Sequence, residues 1–351
     1  MITWFSEVPT PSFAPVLNDL CSDERLDIRV VYLRRTSDGR GWGDLELMHE
    51  HTYETQAGLH GFLAGCRQGW ASEAVVIHGY ATLYSSGMLL GAKIRRRQVF
   101  TQSDSNIQDH AERPLAIRSL KRLFLRLVYP RSTRVWTVSD NNRTFWRLQG
   151  LHNQVRVPFE SSVPQNTDDQ VSAIALKSSL NLTHRVILYV GRLAPEKRIQ
   201  DAVRAVAMLR DDGLDVSLVL VGSGKEDPRN SQNEAWLKLP GPVVHDQLAK
   251  YFLMADALVL PSDREPYGLV VGEALQFGLP VVATDRVASA LELCNKGWNI
   301  VPPREPALLA KALATACSGD RWPARAVVDV ANVYRTELLG REVSYASNNR
   351  H

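Results

Sequence analysis

The chain has 351 residues, 44% of them hydrophobic, and a formal net charge of +3. At about 100 to 200 residues per domain this length sets an expectation of two domains with sizeable cores, and so slight a charge gives no indication of a nucleic-acid partner. No apolar run approaches the roughly 20 residues needed to cross a bilayer. Met1–Glu7 has neither the basic start nor the apolar core of a signal peptide, so a cytoplasmic location is expected. Cys21, Cys66, Cys294 and Cys317 are scattered without metal-ligand spacing, as reduced thiols would be.

In chain order, Pro9, Pro11 and Pro15 make a turn-rich entry, Val16–Leu20 reads as a short helix and Ile28–Leu33 as a strand. Leu59–Cys66 reads as helix and Ala74–Ile77 as a buried strand that ends at His78-Gly79-Tyr80. That is where open α/β sheets place ligand-contacting groups. An imidazole there either hydrogen-bonds a ligand without needing a charge or is a structural histidine satisfied by backbone. Thr82–Lys93 is helical, Gln98–Thr101 is a strand, and Leu115–Tyr129 is a helix stopped by Pro130. Thr133–Val138 is a strand, Ser139 caps a helix over Asn141–Gln149, and Val155–Pro158 closes the half. Alternating strands and helices predict a parallel-sheet domain.

The positive charge of this half is clustered. Lys93, Arg95, Arg96 and Arg97 form one group; Arg118, Lys121, Arg122 and Arg126 form another, interleaved with Leu115, Leu120, Leu123, Phe124 and Leu127. Two readings stand open for the basic helix at 115–129: a solvated face whose long side chains lie over apolar surface, or peripheral contact with an anionic membrane.

Pro158–Asp169 lacks periodicity and is rich in turn formers, which places the domain boundary in it. The expected division is 1–165, 166–330, and a C-terminal helix and tail over 331–351. Beyond the linker, Arg185–Val190 is a strand running into Gly191-Arg192-Leu-Ala-Pro195-Glu196-Lys197 and a helix that Gly213 ends. Val216–Val221 is a strand followed by Gly222-Ser-Gly224-Lys225. Ala257–Ala283 then reads as strand, polar turn, helix beginning near Gly268 and Leu269, and second strand, with Glu265 and Glu273 separated by seven residues.

In a parallel sheet successive strand-to-helix turns emerge on one edge, so Arg192 and Lys197 should share a crevice with the two glutamates. A guanidinium and a mobile ammonium suit a diphosphate, carboxylates suit sugar hydroxyls, and together they describe a nucleotide sugar. For Glu265 the alternative is a capping box with Ser262, but Pro266 would then sit inside the helix, so the helix should begin after it. Gly268 and Gly272 each cost a helix about 1 kcal/mol relative to alanine, which close approach of a ligand to the backbone would offset.

These motifs, with Leu260-Pro-Ser262, Glu265-Pro-Tyr-Gly-Leu-Val-Val-Gly-Glu273 and Gly278-Leu-Pro-Val-Val282, resemble the donor half of retaining glycosyltransferases of family four over residues 185–302. The resemblance implies two doubly wound, Rossmann-like α/β domains facing a cleft, the GT-B architecture. It implies transfer from a nucleotide diphosphate sugar to a hydroxyl acceptor with retention. Arg192 and Lys197 would hold the diphosphate, Glu265 the transferred sugar and Glu273 the ribose. The backbone around Gly191, Gly222, Gly268 and Leu269 would meet sugar or phosphate, and His78 would lie near the donor sugar. No metal or other cofactor is expected, because the basic residues carry the positive charge. The chain departs from the family at Pro9-Thr-Pro11-Ser-Phe, where a glycine-rich loop is usual, and at Ala288, where glycine is common. A sugar-nucleotide epimerase or hydrolase, and an inactive nucleotide-sugar-binding protein, are the alternatives on the same fold.

Overall fold

The computed structural model describes residues 1–35, 45–182, 184–229 and 235–340. They form two units, the first taking residues 1–35, 45–159 and 328–340, the second the described residues from 160 to 327. No helix among the described residues is long and apolar enough to cross a membrane.

The first unit runs β1 (Ile2–Ser6), α1 (Ala14–Cys21), β2 (Ile28–Tyr32), β3 (His51–Tyr53), α2 (Gly58–Ala71), β4 (Ala74–His78), α3 (Leu83–Ile94), β5 (Gln98–Gln102), α4 (Ile107–Ala111), α5 (Leu115–Val128), β6 (Arg134–Thr137), α6 (Asp140–Leu148) and β7 (Gln154–Arg156). Its sheet is parallel, in the order β3-β2-β1-β4-β5-β6-β7. The sequence reading did not foresee β1, which is the strand from which the sheet grows in both directions. Trp4 and Phe5 are fully buried, and the one polar residue of its middle, Thr3, shares a hydrogen bond with Ser72 at 2.7 Å. A strand covered on both faces reads as an apolar run without alternation, and here Thr3 and Ser6 cut that run to Trp4-Phe5.

The second unit runs α7 (Asp169–Ser179), β8 (Arg185–Val190), α8 (Ile199–Asp211), β9 (Val216–Val221), β10 (Leu237–Gly241), α9 (Ala249–Met254), β11 (Ala257–Leu260), α10 (Leu269–Gln276), β12 (Val281–Thr284), α11 (Ala288–Leu293), β13 (Ile300–Val301) and α12 (Pro306–Ser318). Its parallel sheet has the order β10-β9-β8-β11-β12-β13. The chain leaves β8 toward one edge and returns at β11 on the other side, so the direction of winding reverses between these two strands.

Two expected boundaries shift. The first unit ends at Phe159 rather than near 165, because Ser161 and Val163 are already bonded into the second unit, to Glu273 and Gln276. The last helix, α13 (Val330–Leu338), is no independent appendage; it belongs to the first unit. Tyr334 lies edge-on to Trp4 and Trp136 and donates to Gln102 Oε1 at 2.5 Å, while Glu337 accepts from Arg134 and from the Trp136 indole. The part of the expected tail beyond residue 340 lies outside the described residues.

Candidate functional site

The winding reverses between β8 and β11, and the carboxyl ends of strands at such a reversal are where doubly wound sheets bind ligands. After β8 the chain turns through Gly191 and Arg192, whose carbonyl accepts from the Tyr189 hydroxyl at 2.7 Å, and makes a single 3-10 turn over Pro195–Lys197. The loop after β9 packs against it so closely that a Cβ at Gly222 would stand 1.9 Å from the Gly191 carbonyl oxygen. Contact between two turns is therefore enough to require glycine at 222. The Glu196 carbonyl accepts from the amides of Asp263 and Arg264 at 2.9 and 3.3 Å, lashing the β8 turn to the β11 turn.

Lys197 emerges at that lashing. Its Nζ bonds Glu265 Oε2 at 2.5 Å and reaches the Arg264 carbonyl at 3.4 Å. The two side chains are only 10% and 17% exposed, so the pair is largely withdrawn from water. The next residue, Arg198, holds a left-handed φ of 54°, and bonds of 2.9 and 3.0 Å to Asp201 fix its guanidinium. Strain of this kind next to a buried charge is typical of functional turns. Arg192 does not join the pair; its side chain is 55% exposed and bonded to Glu196 at 2.7 Å.

The helix after Glu265 begins past Pro266, as the proline requires. Its N-cap is Gly268 at φ 93°, so Ser262 forms no capping box there. A Cβ at Gly268 would also meet Val287 Cγ1 at 2.9 Å and Ser289 Oγ at 3.0 Å. The glycine thus answers to backbone conformation and packing, not only to ligand approach. Gly272 differs: apart from its chain neighbours and the backbone of its own helix, no atom of the described residues lies within 4 Å of where its Cβ would be. The amides of Leu269 and Val270 open α10 with no intrahelical acceptor, a ready anion site.

Glu273, one turn on and buried, belongs to a second cluster. Its Oε1 accepts from the Ser161 hydroxyl and lies 3.2 Å from His245 Nε2, and Ser161 and His245 are themselves 3.3 Å apart. No described residue hydrogen-bonds Oε2. Burial pushes the His245 pKa down, but the hydrogen bond and charge of Glu273, with Asp246 behind them, outweigh it and the net direction is up. Sequence reasoning missed both partners. Ser161 fell in the stretch read as linker, and His245 could be recognised only as the strand-end position after β10, a strand that was not foreseen. Ser262, named in the sequence only as part of a motif and as a capping candidate, is fully buried just after β11, and its hydroxyl has no partner among the described residues.

His78 stands in the first unit, paired in register with Ser6 where the winding reverses between β1 and β4. Phe13, from the turn that replaces a glycine-rich loop, lies edge-on to its ring at 4.7 Å. Nδ1 is buried with no hydrogen-bond partner among the described residues. Burial holds its pKa down at about 4, so the ring is neutral at pH 7.

A cavity of about 430 Å³ lies elsewhere in the second unit, lined by Lys177, Arg185, Asp256 and Arg321 among others. Arg185 begins β8 and Asp256 precedes β11, so this cavity is at the amino-terminal edge of the sheet. Two of its lining residues, Arg185 and Asp256, form an ion pair at 2.7 Å. Among the described residues no group of three or more His, Cys, Asp or Glu is arranged to hold a metal ion.

Residues 172–327, less than half of the chain and all in the second unit, match the family described as glycosyl transferases group 1. The putative teichuronic acid biosynthesis glycosyltransferase TuaC of Bacillus subtilis is 32% identical over 169 residues, which is 48% of this chain and 42% of that protein. A glycogen synthase of Mycobacterium tuberculosis is 35% identical over 135 residues, 36% of this chain and 32% of that protein. The matches thus span well under half of these relatives' own length. Among solved structures, Anabaena Alr3699/HepE in complex with UDP-glucose superposes with a TM-score of 0.67 at 15% identity, covering 97% of this chain and 99% of that one. WaaG, a glycosyltransferase involved in lipopolysaccharide biosynthesis, gives 0.67 at 14% identity, covering 91% of each chain. The fold is α/β with two parallel-sheet, Rossmann-like domains, matching GT-B glycosyltransferase structures.

Proposed function

We propose that the chain transfers a glycosyl group from a nucleotide diphosphate sugar to a hydroxyl acceptor, with retention of anomeric configuration. The observation that carries this reading is the meeting of the buried Lys197 ammonium, the Glu265 carboxylate and the start of α10 where the second sheet reverses its winding. All three lie inside the segment matched by the group 1 family. Retention rests on the likeness of Glu265 and Glu273, at their spacing, to the retaining family four motif.

The chemistry is charge management. As the glycosidic bond breaks, negative charge develops on the leaving diphosphate and the sugar becomes cation-like. Lys197 Nζ and the open amides of Leu269 and Val270 bind diphosphate oxygens, each such donor being worth about 3 kcal/mol toward the transition state. Lys197 then exchanges Glu265 for phosphate, which frees Glu265 to accept from hydroxyls of the transferred sugar. Arg192 leaves Glu196 to join it; an exposed ion pair resists this by less than about 1 kcal/mol. Glu273 presents its unbonded Oε2 to the ribose while Ser161 and His245 fix Oε1. His78, kept neutral, hydrogen-bonds the donor sugar without adding charge. Positive charge at the leaving group comes from Arg192 and Lys197, with no metal given a role, and the protein works in the cytoplasm.

The test is incubation with a panel of labelled nucleotide diphosphate sugars and a mixed acceptor extract. Acceptor-dependent label in product is expected. Donor consumed equally without acceptor makes the chain a hydrolase or epimerase, and donor bound but never consumed makes it a binding protein.

A further inference from the structure

A soluble domain normally turns the apolar stripe of an amphipathic helix inward. In α5 the polarity is reversed. At about 100° per residue, Leu120, Leu123, Phe124 and Leu127 fall within one sector of about 100°, and Leu125 lies nearly opposite with Arg118, Lys121 and Arg122 around it. The buried residue is Leu125; Arg118, Lys121 and Arg122 are half-buried beside it, and Lys121 Nζ lies over the rings of Tyr80 and Phe145 at 5.2 and 4.8 Å. The leucines face out: Leu120, Leu123 and Leu127 are 68%, 56% and 62% exposed, and Leu115, at the helix start, 73%. The helix is thus seated on the domain by its basic side and presents its apolar side to solvent.

The surroundings of this face are basic. Lys93 Nζ donates to the Leu127 carbonyl at 2.5 Å, which sets the end of α3 against the end of α5. There Ile94, Arg95 and Arg96 are all exposed. Neither the stretch from Ala74 to Ser103 nor that from Arg113 to Ser139 contains an aspartate or glutamate. We propose that the outward face of α5, with the end of α3, docks on an anionic lipid bilayer: the leucines and Phe124 enter the acyl boundary and the basic rim meets the headgroups. Charge decides the occupant. A second copy of this chain would bring two basic rims together, and the aliphatic centre lacks the stacked aromatic platform that single-stranded nucleic acid uses.

The test is sedimentation of the full chain with vesicles of phosphatidylcholine alone and of phosphatidylcholine with phosphatidylglycerol. Binding is expected to the second kind and to weaken as salt is raised. The variant Leu120→Ser/Leu123→Ser/Leu127→Ser should lower partition by about tenfold per leucine at most, and Arg95→Gln/Arg96→Gln by about fivefold per charge. All five side chains are exposed and Arg95 lies over the Trp70 ring at 4.8 Å, so the serine variant should keep the parent's thermal midpoint and both variants its affinity for nucleoside diphosphates, and this result is independent of the functional reading above. Failure to sediment with anionic vesicles, or equal binding to both kinds, overturns the proposal. So does a concentration-dependent dimer that the serine variant dissolves, which would give the face to a second copy.

Discussion

The Lys197–Glu265 pair has two jobs in this account, and a double-mutant cycle separates them. Lys197→Met removes the cation and leaves a carboxylate that is only 17% exposed facing the apolar stem of the new side chain. Truncating one partner of a fully buried pair costs about 3 to 5 kcal/mol; with both groups still touching water we expect about 2 to 3. Glu265→Gln strands the ammonium less severely, since the amide oxygen still accepts, and should cost about 1 to 2 kcal/mol. The double variant removes both charges, keeps the shapes, and should return to within about 1 kcal/mol of the parent, giving a coupling of at least about 2 kcal/mol. Urea unfolding measures these values. Function should not follow stability: the double variant should bind a nucleoside diphosphate at least tenfold more weakly than the parent, because the diphosphate has lost its ammonium. Recovery of both stability and affinity in the double variant would show the pair to be only a strut. Singles as stable as the parent would show that it does not form.

Other consequences follow from neighbouring residues. Ser161→Ala and His245→Gln each loosen Glu273 and should weaken nucleoside diphosphate binding by about five- to tenfold, near 1 to 1.4 kcal/mol; calorimetric affinities unchanged in both would remove Glu273 from the ribose. His78 has its folded pKa depressed to about 4 against an ordinary value of about 6.5, so the stability it contributes is present above pH 6.5 and lost as pH falls toward 4. The loss is on the order of 3 kcal/mol at most, and His78→Gln should flatten that limb of the stability profile. His245 shifts the other way: its contribution is full below pH 6.5 and lost as pH rises through the raised folded pKa, and His245→Gln should remove that alkaline decline. Gly272→Ala fills open space on a helix and should raise stability by up to about 1 kcal/mol, whereas Gly268→Ala, strained at φ 93° and crowded by Val287, should lower it by more than that. Paired thermal melts of the two alanines decide the point.

The sequence announced its parallel sheets because long buried strands such as Arg185–Val190 and Val216–Val221 are apolar and lie between turn signals and amphipathic helices. It disclosed Lys197, Glu265 and Glu273 because strand-end turns in such a sheet share one edge. The missing parts have physical causes. β13 has only two residues, β3 is His-Thr-Tyr and β10 ends in Pro-Gly, so none of these shows the apolar run by which strands of similar length such as Ala74–His78 register, and the run in β1 is interrupted by Thr3. Ser161 and His245 are brought to Glu273 across 112 and 28 residues of chain, and no local spacing encodes that. The return of α13 to the first unit depends on tertiary packing by Tyr334 and Glu337. For α5 the periodicity showed an amphipathic helix but not which side faces the domain, and on that orientation the two readings of its basic residues diverge.

Amide hydrogen exchange with and without a saturating nucleoside diphosphate shows whether the nucleotide binds where the second sheet reverses its winding. Slowed exchange is expected in the β8 turn, residues 191–198, and across the β11 turn into α10, residues 262–273, with Leu269 and Val270 showing the greatest change because their amides gain an acceptor. Protection confined to the cavity beside Lys177 and Arg185, or no protection with any nucleoside diphosphate, would contradict that placement.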